Sequence, residues 1–90
     1  MTHVTVLTQA SCGSCGQAKE VLSRLAREYP LEIRELGLDT EEGRGLAARA
    51  GVVFAPGVLI DGDMFSYGRL SEKKLRHHLS LTNSTPGAQP

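Results

Sequence analysis

The sequence predicts one α/β domain in the order βαβαββα, with a mixed four-stranded sheet covered by helices on both faces. Three observations support this fold class: short β-branched runs, amphipathic stretches of helical period between them, and an Asp-Gly turn late in the chain. Two strands joined through a helix are expected to pair in parallel with a right-handed crossover. The Asp-Gly turn predicts an antiparallel hairpin for the last two strands.

The first strand is predicted at Val4, Val6 and Leu7, before the loop formed by residues 8–11. A helix follows, because apolar residues then recur every three or four positions and form one stripe. The stripe consists of Cys15, Ala18, Val21, Leu22, Leu25, Ala26 and Tyr29. Pro30 is expected to end this helix.

Residues 31–38 predict a second strand, with a bulge or an early exposed end at Glu35, where the alternation breaks. Asp39 or Thr40 is expected to cap the second helix, and Gly51 suits the position just past its end. The second helix should therefore occupy most of the segment between these residues.

Residues 57–60 and 64–67 predict the hairpin strands, and Ser71 is expected to open the last helix, with Leu70 packed against Leu75. The folded domain should span residues 1–81. Residues 82–90 are mostly polar, with Gly and Pro and no apolar anchor, so a disordered tail is expected there.

Charge and hydropathy favour a cytoplasmic protein that binds neither nucleic acid nor membranes. Ten basic residues balance ten acidic ones in a chain of 90 residues, so no net field attracts polyanions. No apolar run is long enough to cross a membrane, and Met1-Thr2-His3 does not open a signal peptide. A monomer is expected.

The only two cysteines, Cys12 and Cys15, stand at the predicted start of the first helix and predict a redox-active dithiol. Cys15 belongs to the core-facing stripe, whereas Cys12 precedes the first turn, where the helix dipole stabilises a thiolate. Cys12 is therefore the expected nucleophile and Cys15 the resolving thiol. Gly13 and Gly16 leave room near the sulfurs for a partner's backbone.

Two other interpretations of the cysteine pair are a buried, inert pair of thiols and a metal site. Structural zinc usually has four Cys or His ligands, and His3, His77 and His78 are the only histidines. His77 and His78 are neighbours on a helix and point about 100° apart, which makes them poor joint ligands. A metal or iron–sulfur carrier that uses the same two thiolates remains an alternative function.

Three segments carry a resemblance to a known family: the dithiol segment 12–15, residues 51–56 (Gly-Val-Val-Phe-Ala-Pro) and residues 68–71 (Gly-Arg-Leu-Ser). The chain resembles the thioredoxin and glutaredoxin superfamily over nearly its whole length apart from the tail. The resemblance implies a thioredoxin-like fold of glutaredoxin size and a cis Pro56 beside the dithiol. It also implies that the Ala55 backbone pairs with an extended substrate, so that the substrate contacts are Gly13, Ser14, Ala55 and Pro56.

The function implied by the resemblance is reduction of protein disulfides through a mixed disulfide on Cys12. No prosthetic group is expected, and an external reductant, a thioredoxin-type reductase or glutathione, restores the dithiol. The chain differs from thioredoxins at Ser11 and Ser14, where Trp and Pro are usual. It also lacks the Asp that helps glutaredoxins hold glutathione after Gly68. A glutathione-dependent glutaredoxin is therefore the alternative enzyme.

Overall fold

The computed structural model describes residues 2–10 and 12–83 and has the predicted element order. The strands and helices are β1 (Thr2–Thr8), α1 (Gly13–Leu25), β2 (Leu31–Gly37), α2 (Glu41–Ala50), β3 (Gly57–Ile60), β4 (Asp63–Tyr67) and α3 (Glu72–Asn83).

The four strands form one mixed sheet in the order β2-β1-β3-β4, which confirms the predicted fold class. β1 is parallel to β2 and antiparallel to β3, and β4 is antiparallel to β3. β1, β2 and β4 therefore finish at the same end of the sheet, where β3 begins. We call this the carboxyl end; it carries the loops that follow β1, β2 and β4 and the loop before β3.

The β3–β4 hairpin turns at Asp61 and Gly62, which both have positive φ angles, 51° and 91°. A two-residue turn with this backbone is favoured because its twist matches that of the flanking strands. The bulge expected at Glu35 is absent, since β2 pairs with β1 without interruption; the irregularity lies instead between Val58 and Leu59. Glu35 is exposed because β2 is an edge strand.

Side-chain and glycine caps define the predicted helix boundaries of α2 and α3. The Thr40 hydroxyl accepts a hydrogen bond from the Gly43 N–H at 3.0 Å, and Gly51 ends α2 in the left-handed region at φ 81°. The Ser71 hydroxyl accepts from the Lys74 N–H at 3.2 Å at the start of α3. Of the two predicted caps for α2, Thr40 is therefore correct.

The first helix ends earlier than Pro30, contrary to the prediction. The α-helix ends at Leu25, and tighter turns follow. The Arg27 N–H donates to the Arg24 carbonyl at 3.2 Å, and the Glu28 N–H donates to the Leu25 carbonyl at 2.9 Å. These i→i+3 bonds are typical of a tightened final turn. Pro30 thus follows a turn and precedes β2 directly.

The sheet has a core on each face because side chains alternate along β1. Val4 and Val6 pack with α1 and α3 in the larger core, whereas Leu7 packs with Ala47 of α2 on the other face. The helices therefore cover both faces, as predicted. Leu70 and Leu75 are both fully buried in the larger core.

A surface ion-pair network joins α1 to α3. Arg24 binds Glu72 at 2.8 Å, and Arg76 contacts both Glu72, at 3.2 Å, and Glu28. The hydrogen bond from Arg24 is the main cause that lowers the pKa of Glu72. A carboxyl whose pKa is lower in the folded state stabilises the fold above its unfolded pKa, and this contribution is lost as the pH falls through the folded value.

Helix α3 continues through Asn83, so residues 82 and 83, assigned to the tail by composition, are helical in the structure. The rest of the expected tail, residues 84–90, lies outside the described residues. Among the helices described, none is long and apolar enough to cross a membrane.

Candidate active site

The two cysteines lie at the start of α1, at the carboxyl end of the sheet. Cys12 is the N-cap residue of α1 and has an extended backbone, and Cys15 lies in the first turn. A disulfide joins the two sulfurs, with the Cα atoms 5.4 Å apart. The short separation along the chain and the turn of the helix together bring the sulfurs within bonding distance.

The two thiol positions differ in exposure. Cys15 is 5% exposed, on the same buried stripe as Ala18 and Leu22, whereas Cys12 is partly exposed at the surface. The predicted orientation of Cys15 toward the core is therefore confirmed. Cys12 is therefore the more accessible of the two cysteines from the surface.

The local electrostatics at Cys12 favour a negative charge. No side chain caps α1, and its first turn contains no acidic residue. The first backbone N–H groups of a helix and the helix dipole stabilise an anion at such a position. A cysteine at a helix N-terminus has a lower pKa than the ordinary value of about 8.5, which raises the thiolate fraction once the disulfide is reduced.

The Ala55–Pro56 peptide bond is cis, in agreement with the family resemblance. Pro56 is fully buried, and its carbonyl accepts a hydrogen bond from the Gly68 N–H at 2.8 Å. Gly57, the next residue, pairs with Leu7 near the end of β1. The Pro56 loop and the dithiol loop therefore lie at the same end of adjacent strands.

The Ala55 backbone is available for pairing with another chain. Within the described residues, its N–H and C=O groups form no hydrogen bond to the rest of the protein. Gly13 is exposed and Ser14 is partly exposed, and a Cβ added at Gly13 or Gly16 would meet nothing within 4 Å. These glycines are thus not required by packing within the chain, and the space beside them is open.

Sequence reasoning missed Gln17, which fastens α1 to the segment before α3. Its side-chain amide donates to the Leu70 carbonyl at 2.9 Å and accepts from the Leu70 N–H at 3.2 Å. Leu70 itself is buried, so both of its backbone groups depend on this side chain. The two residues are 53 positions apart, and nothing in the local pattern indicates the contact.

Replacing Gln17 with alanine should lower the free energy of unfolding by about 1–3 kcal/mol, because the substitution leaves the Leu70 N–H and C=O without partners. Urea denaturation followed by circular dichroism measures this change. Gln9→Ala is the matched control, since Gln9 is exposed and makes no hydrogen bond within the described residues. Equal stability of the two variants would show that water replaces the Gln17 contacts.

A second contact missed from the sequence connects the ends of β1 and β2 to α1. The buried Thr8 hydroxyl donates to Glu35 at 3.2 Å, and Lys19 binds the same carboxylate oxygen at 3.4 Å. Lys19 lies one helical turn after Cys15, so Glu35 helps hold the first turns of α1 against the sheet.

The described part of the chain offers no preformed metal centre. In residues 2–10 and 12–83, no group of three or more His, Cys, Asp or Glu side chains is placed to hold a metal ion.

The comparison with protein families identifies the group to which the fold and the dithiol belong. The glutaredoxin family model matches residues 4–65, which include both cysteines, most of β1, all of β2 and β3, and most of β4. The chain belongs to the glutaredoxin family. Its resemblance to the thioredoxin and glutaredoxin superfamily is thereby confirmed, and membership together with the close cysteine pair supports a redox role. No curated protein matches the chain.

Solved structures of thioredoxin type share the fold of this glutaredoxin-family protein. A thioredoxin variant from Halobacterium salinarum NRC-1 has a TM-score of 0.72 at 21% identity, over 91% of this chain and 74% of the variant. Oxidised thioredoxin O2 from Arabidopsis thaliana has a TM-score of 0.71 at 18% identity, and the match covers 92% of this chain and 76% of that thioredoxin. The thioredoxin-like protein BC3987 has a TM-score of 0.67 at 25% identity, and the match covers 82% of this chain and 96% of BC3987.

Proposed function

We propose that this glutaredoxin-family protein is a thiol–disulfide oxidoreductase that reduces protein disulfides through Cys12 and Cys15. The observation that carries the proposal is the asymmetry of the pair: a partly exposed thiol at a helix N-terminus lies within bonding distance of a buried one. Exposure and dipole activate the first thiol for attack. Because Cys15 is buried, its thiol is available mainly for the intramolecular attack on the mixed disulfide at Cys12.

In the first step, the Cys12 thiolate attacks one sulfur of the partner disulfide. The partner's S–S bond breaks, a mixed disulfide to Cys12 forms, and the released partner thiolate takes a proton from solvent. Cys15 then loses its proton and attacks the Cys12 sulfur, which releases the second partner thiolate. Two electrons pass to the partner, and the Cys12–Cys15 disulfide remains.

The loop before β3 holds the partner during this exchange. An extended partner segment pairs with the free N–H and C=O groups of Ala55, as in β-strand addition. Gly13 and Ser14, at the start of α1 and at the same end of the sheet, are the other proposed contacts of the partner. The partner is thus a disulfide-containing protein, and the proposed enzyme works as a cytoplasmic monomer.

The oxidised dithiol needs an external electron donor, for which we propose a thioredoxin-type reductase. Glutathione is the second candidate, and membership of the glutaredoxin family favours it. Near the start of α3 an open groove of about 550 Å³ is lined by Arg24 and Arg69 and also by two carboxylates, Glu20 and Glu72, of which Glu72 is ion-paired with Arg24. Arg69 has no ion pair within the described residues, so it is the group in this groove that suits a carboxylate of a small peptide thiol.

One assay distinguishes the two electron donors. The protein is supplied with a disulfide-containing protein such as insulin, NADPH, and either thioredoxin reductase or glutathione with its reductase. Turnover with thioredoxin reductase at a rate well above that with glutathione supports the proposal. Turnover with glutathione alone, retained in Cys15→Ser, would identify a glutathione-dependent glutaredoxin instead.

A further inference from the structure

A short segment between β4 and α3, residues 68–70, is hydrogen-bonded both to α1 and to the loop before β3. The Gln17 side chain donates to the Leu70 carbonyl at 2.9 Å and accepts from the Leu70 N–H at 3.2 Å. Two residues earlier, the Gly68 N–H donates to the Pro56 carbonyl at 2.8 Å. Three hydrogen bonds therefore join the helix that carries the cysteines to the cis-proline loop. We call residues 68–70 the bridge segment.

The Gln17 contact fixes both a distance and a direction. The side-chain amide donates and accepts at the same time, so it pairs with the Leu70 backbone in one relative orientation. Leu70 is 1% exposed and packs in the larger core, which makes it a firm anchor. Gln17 follows Cys15 by two residues, in the first turns of α1. The end of α1 with the two sulfurs is therefore held at one position relative to the bridge segment.

A second polar contact of the first turns of α1 leads away from the cis-proline loop. Among the described residues, the only other side-chain hydrogen bond from positions 13–19 joins Lys19 to Glu35. Glu35 lies on the edge strand β2, on the opposite side of β1 from β3. Both side chains are about half exposed, and an exposed pair of this kind stabilises little.

The ion pair between Arg24 and Glu72 also joins α1 to the start of α3, but far from the dithiol. Arg24 lies about two and a half helical turns after Cys15. Gln17 is thus the described side chain that connects the first turns of α1 to the bridge segment, and through it to Pro56.

We propose that Gln17 is a positioning residue for the thiol–disulfide exchange and acts through the bridge segment. This inference rests on the proposed function, in which Cys12 attacks a disulfide of a partner segment paired at Ala55. Because Ala55 directly precedes Pro56, the bridge segment sets how far the paired segment lies from the attacking sulfur. Gln17 itself exchanges neither a proton nor an electron. Attack needs the thiolate close to the partner sulfur and aligned with its S–S bond, and a misplacement of about 1 Å can cost about 100-fold in rate.

The test measures single-turnover reduction of a disulfide-cyclised peptide by the fully reduced protein, with the peptide in excess at several concentrations. In Gln17→Ala and Gln17→Met the maximal rate should fall about tenfold, because α1 and the cis-proline loop are no longer held at one distance. The peptide concentration at half-maximal rate should change by less than about twofold, since the Ala55 groups that pair with the peptide remain. Met has nearly the length of Gln and fills its space, so Gln17→Met provides a folded variant should Gln17→Ala unfold.

A small aliphatic disulfide without a peptide backbone provides a second readout. It does not pair at Ala55, so its reduction depends less on the position of α1 relative to the loop. The ratio of the peptide rate to the small-disulfide rate should fall about fivefold in both Gln17 variants. A general loss of dithiol reactivity would lower both rates equally, and an unchanged ratio would therefore overturn the inference.

Thr40→Ala is the matched control for lowered stability. The Thr40 hydroxyl caps α2 on the other face of the sheet, and loss of its bond to the Gly43 N–H destabilises the fold without touching the bridge segment. Urea denaturation verifies that every variant is folded under the assay conditions. Thr40→Ala should keep the wild-type maximal rate, and equal slowing in Thr40→Ala and Gln17→Ala would overturn the inference.

The remaining outcomes separate the inference from the proposed function. Wild-type maximal rates in both Gln17 variants would overturn the inference and leave the proposed function standing. A raised half-maximal concentration with an unchanged maximal rate would do the same, because Gln17 would then act in binding and not in positioning. Failure of the wild-type protein to reduce any disulfide would overturn the proposed function itself.

Discussion

Cys15→Ser is expected to accumulate a covalent mixed disulfide between Cys12 and partner proteins, whereas Cys12→Ser should abolish turnover and trap little. Attack by Cys12 needs only its own thiolate, so the first step survives the loss of Cys15. Release then lacks the neighbouring thiol, whose effective concentration on so short a loop is high. The complex should persist until an external thiol is added.

Immobilised Cys15→Ser protein exposed to cell extract, washed and eluted with dithiothreitol, measures this trapping on non-reducing and reducing gels. The double variant in which both cysteines are serine controls for non-covalent adsorption. Ser14→Ala, which keeps both thiols, should release its partners as the wild type does. Full turnover by Cys15→Ser without any trapped partner would contradict the two-cysteine mechanism and favour a one-cysteine route assisted by glutathione.

The second large effect concerns the reduced protein: we expect Cys12 to react with iodoacetamide at least about tenfold faster than Cys15 at neutral pH. Cys12 is partly exposed at the start of α1, where the helix dipole favours a thiolate, whereas Cys15 is buried, with 5% of its surface exposed. Mass spectrometry of peptides from samples quenched at successive times gives the two rates.

Labelling in urea is the control for the intrinsic reactivity of each thiol. The two rates should converge there, because unfolding removes both the helix dipole and the burial of Cys15. Equal rates in the folded protein, or faster labelling of Cys15, would reverse or remove the assignment of nucleophile and resolving thiol.

Local signals explain why much of the fold and the dithiol could be predicted from the sequence. The Asp61-Gly62 turn requires positive φ angles that few residues adopt, and Thr40 and Ser71 satisfy backbone groups only a few residues away. The stripe under Cys15 is equally local, since helical period alone places it beside Ala18.

Contacts between distant segments could not be predicted in the same way. Gln17 meets the Leu70 backbone only because α1 and the start of α3 pack together, and neither residue shows this in its own neighbourhood. Phe54 and Tyr67 meet because β3 pairs with β4 in one particular register. The sequence left a bulge and an early exposed end open at Glu35, and it could not decide between them because it does not show that β2 lies at the sheet edge.

The stoichiometry of a single turnover without any reductase tests directly whether Cys12 and Cys15 together reduce a partner disulfide. Fully reduced protein is mixed with a small excess of a disulfide-containing protein, quenched with acid and alkylated, and the alkyl groups on each chain are counted by mass spectrometry. We expect each chain to lose its two free thiols at Cys12 and Cys15, to form the intramolecular disulfide, and to reduce one partner disulfide. Persistence of both free thiols, with the partner disulfide intact, would contradict it.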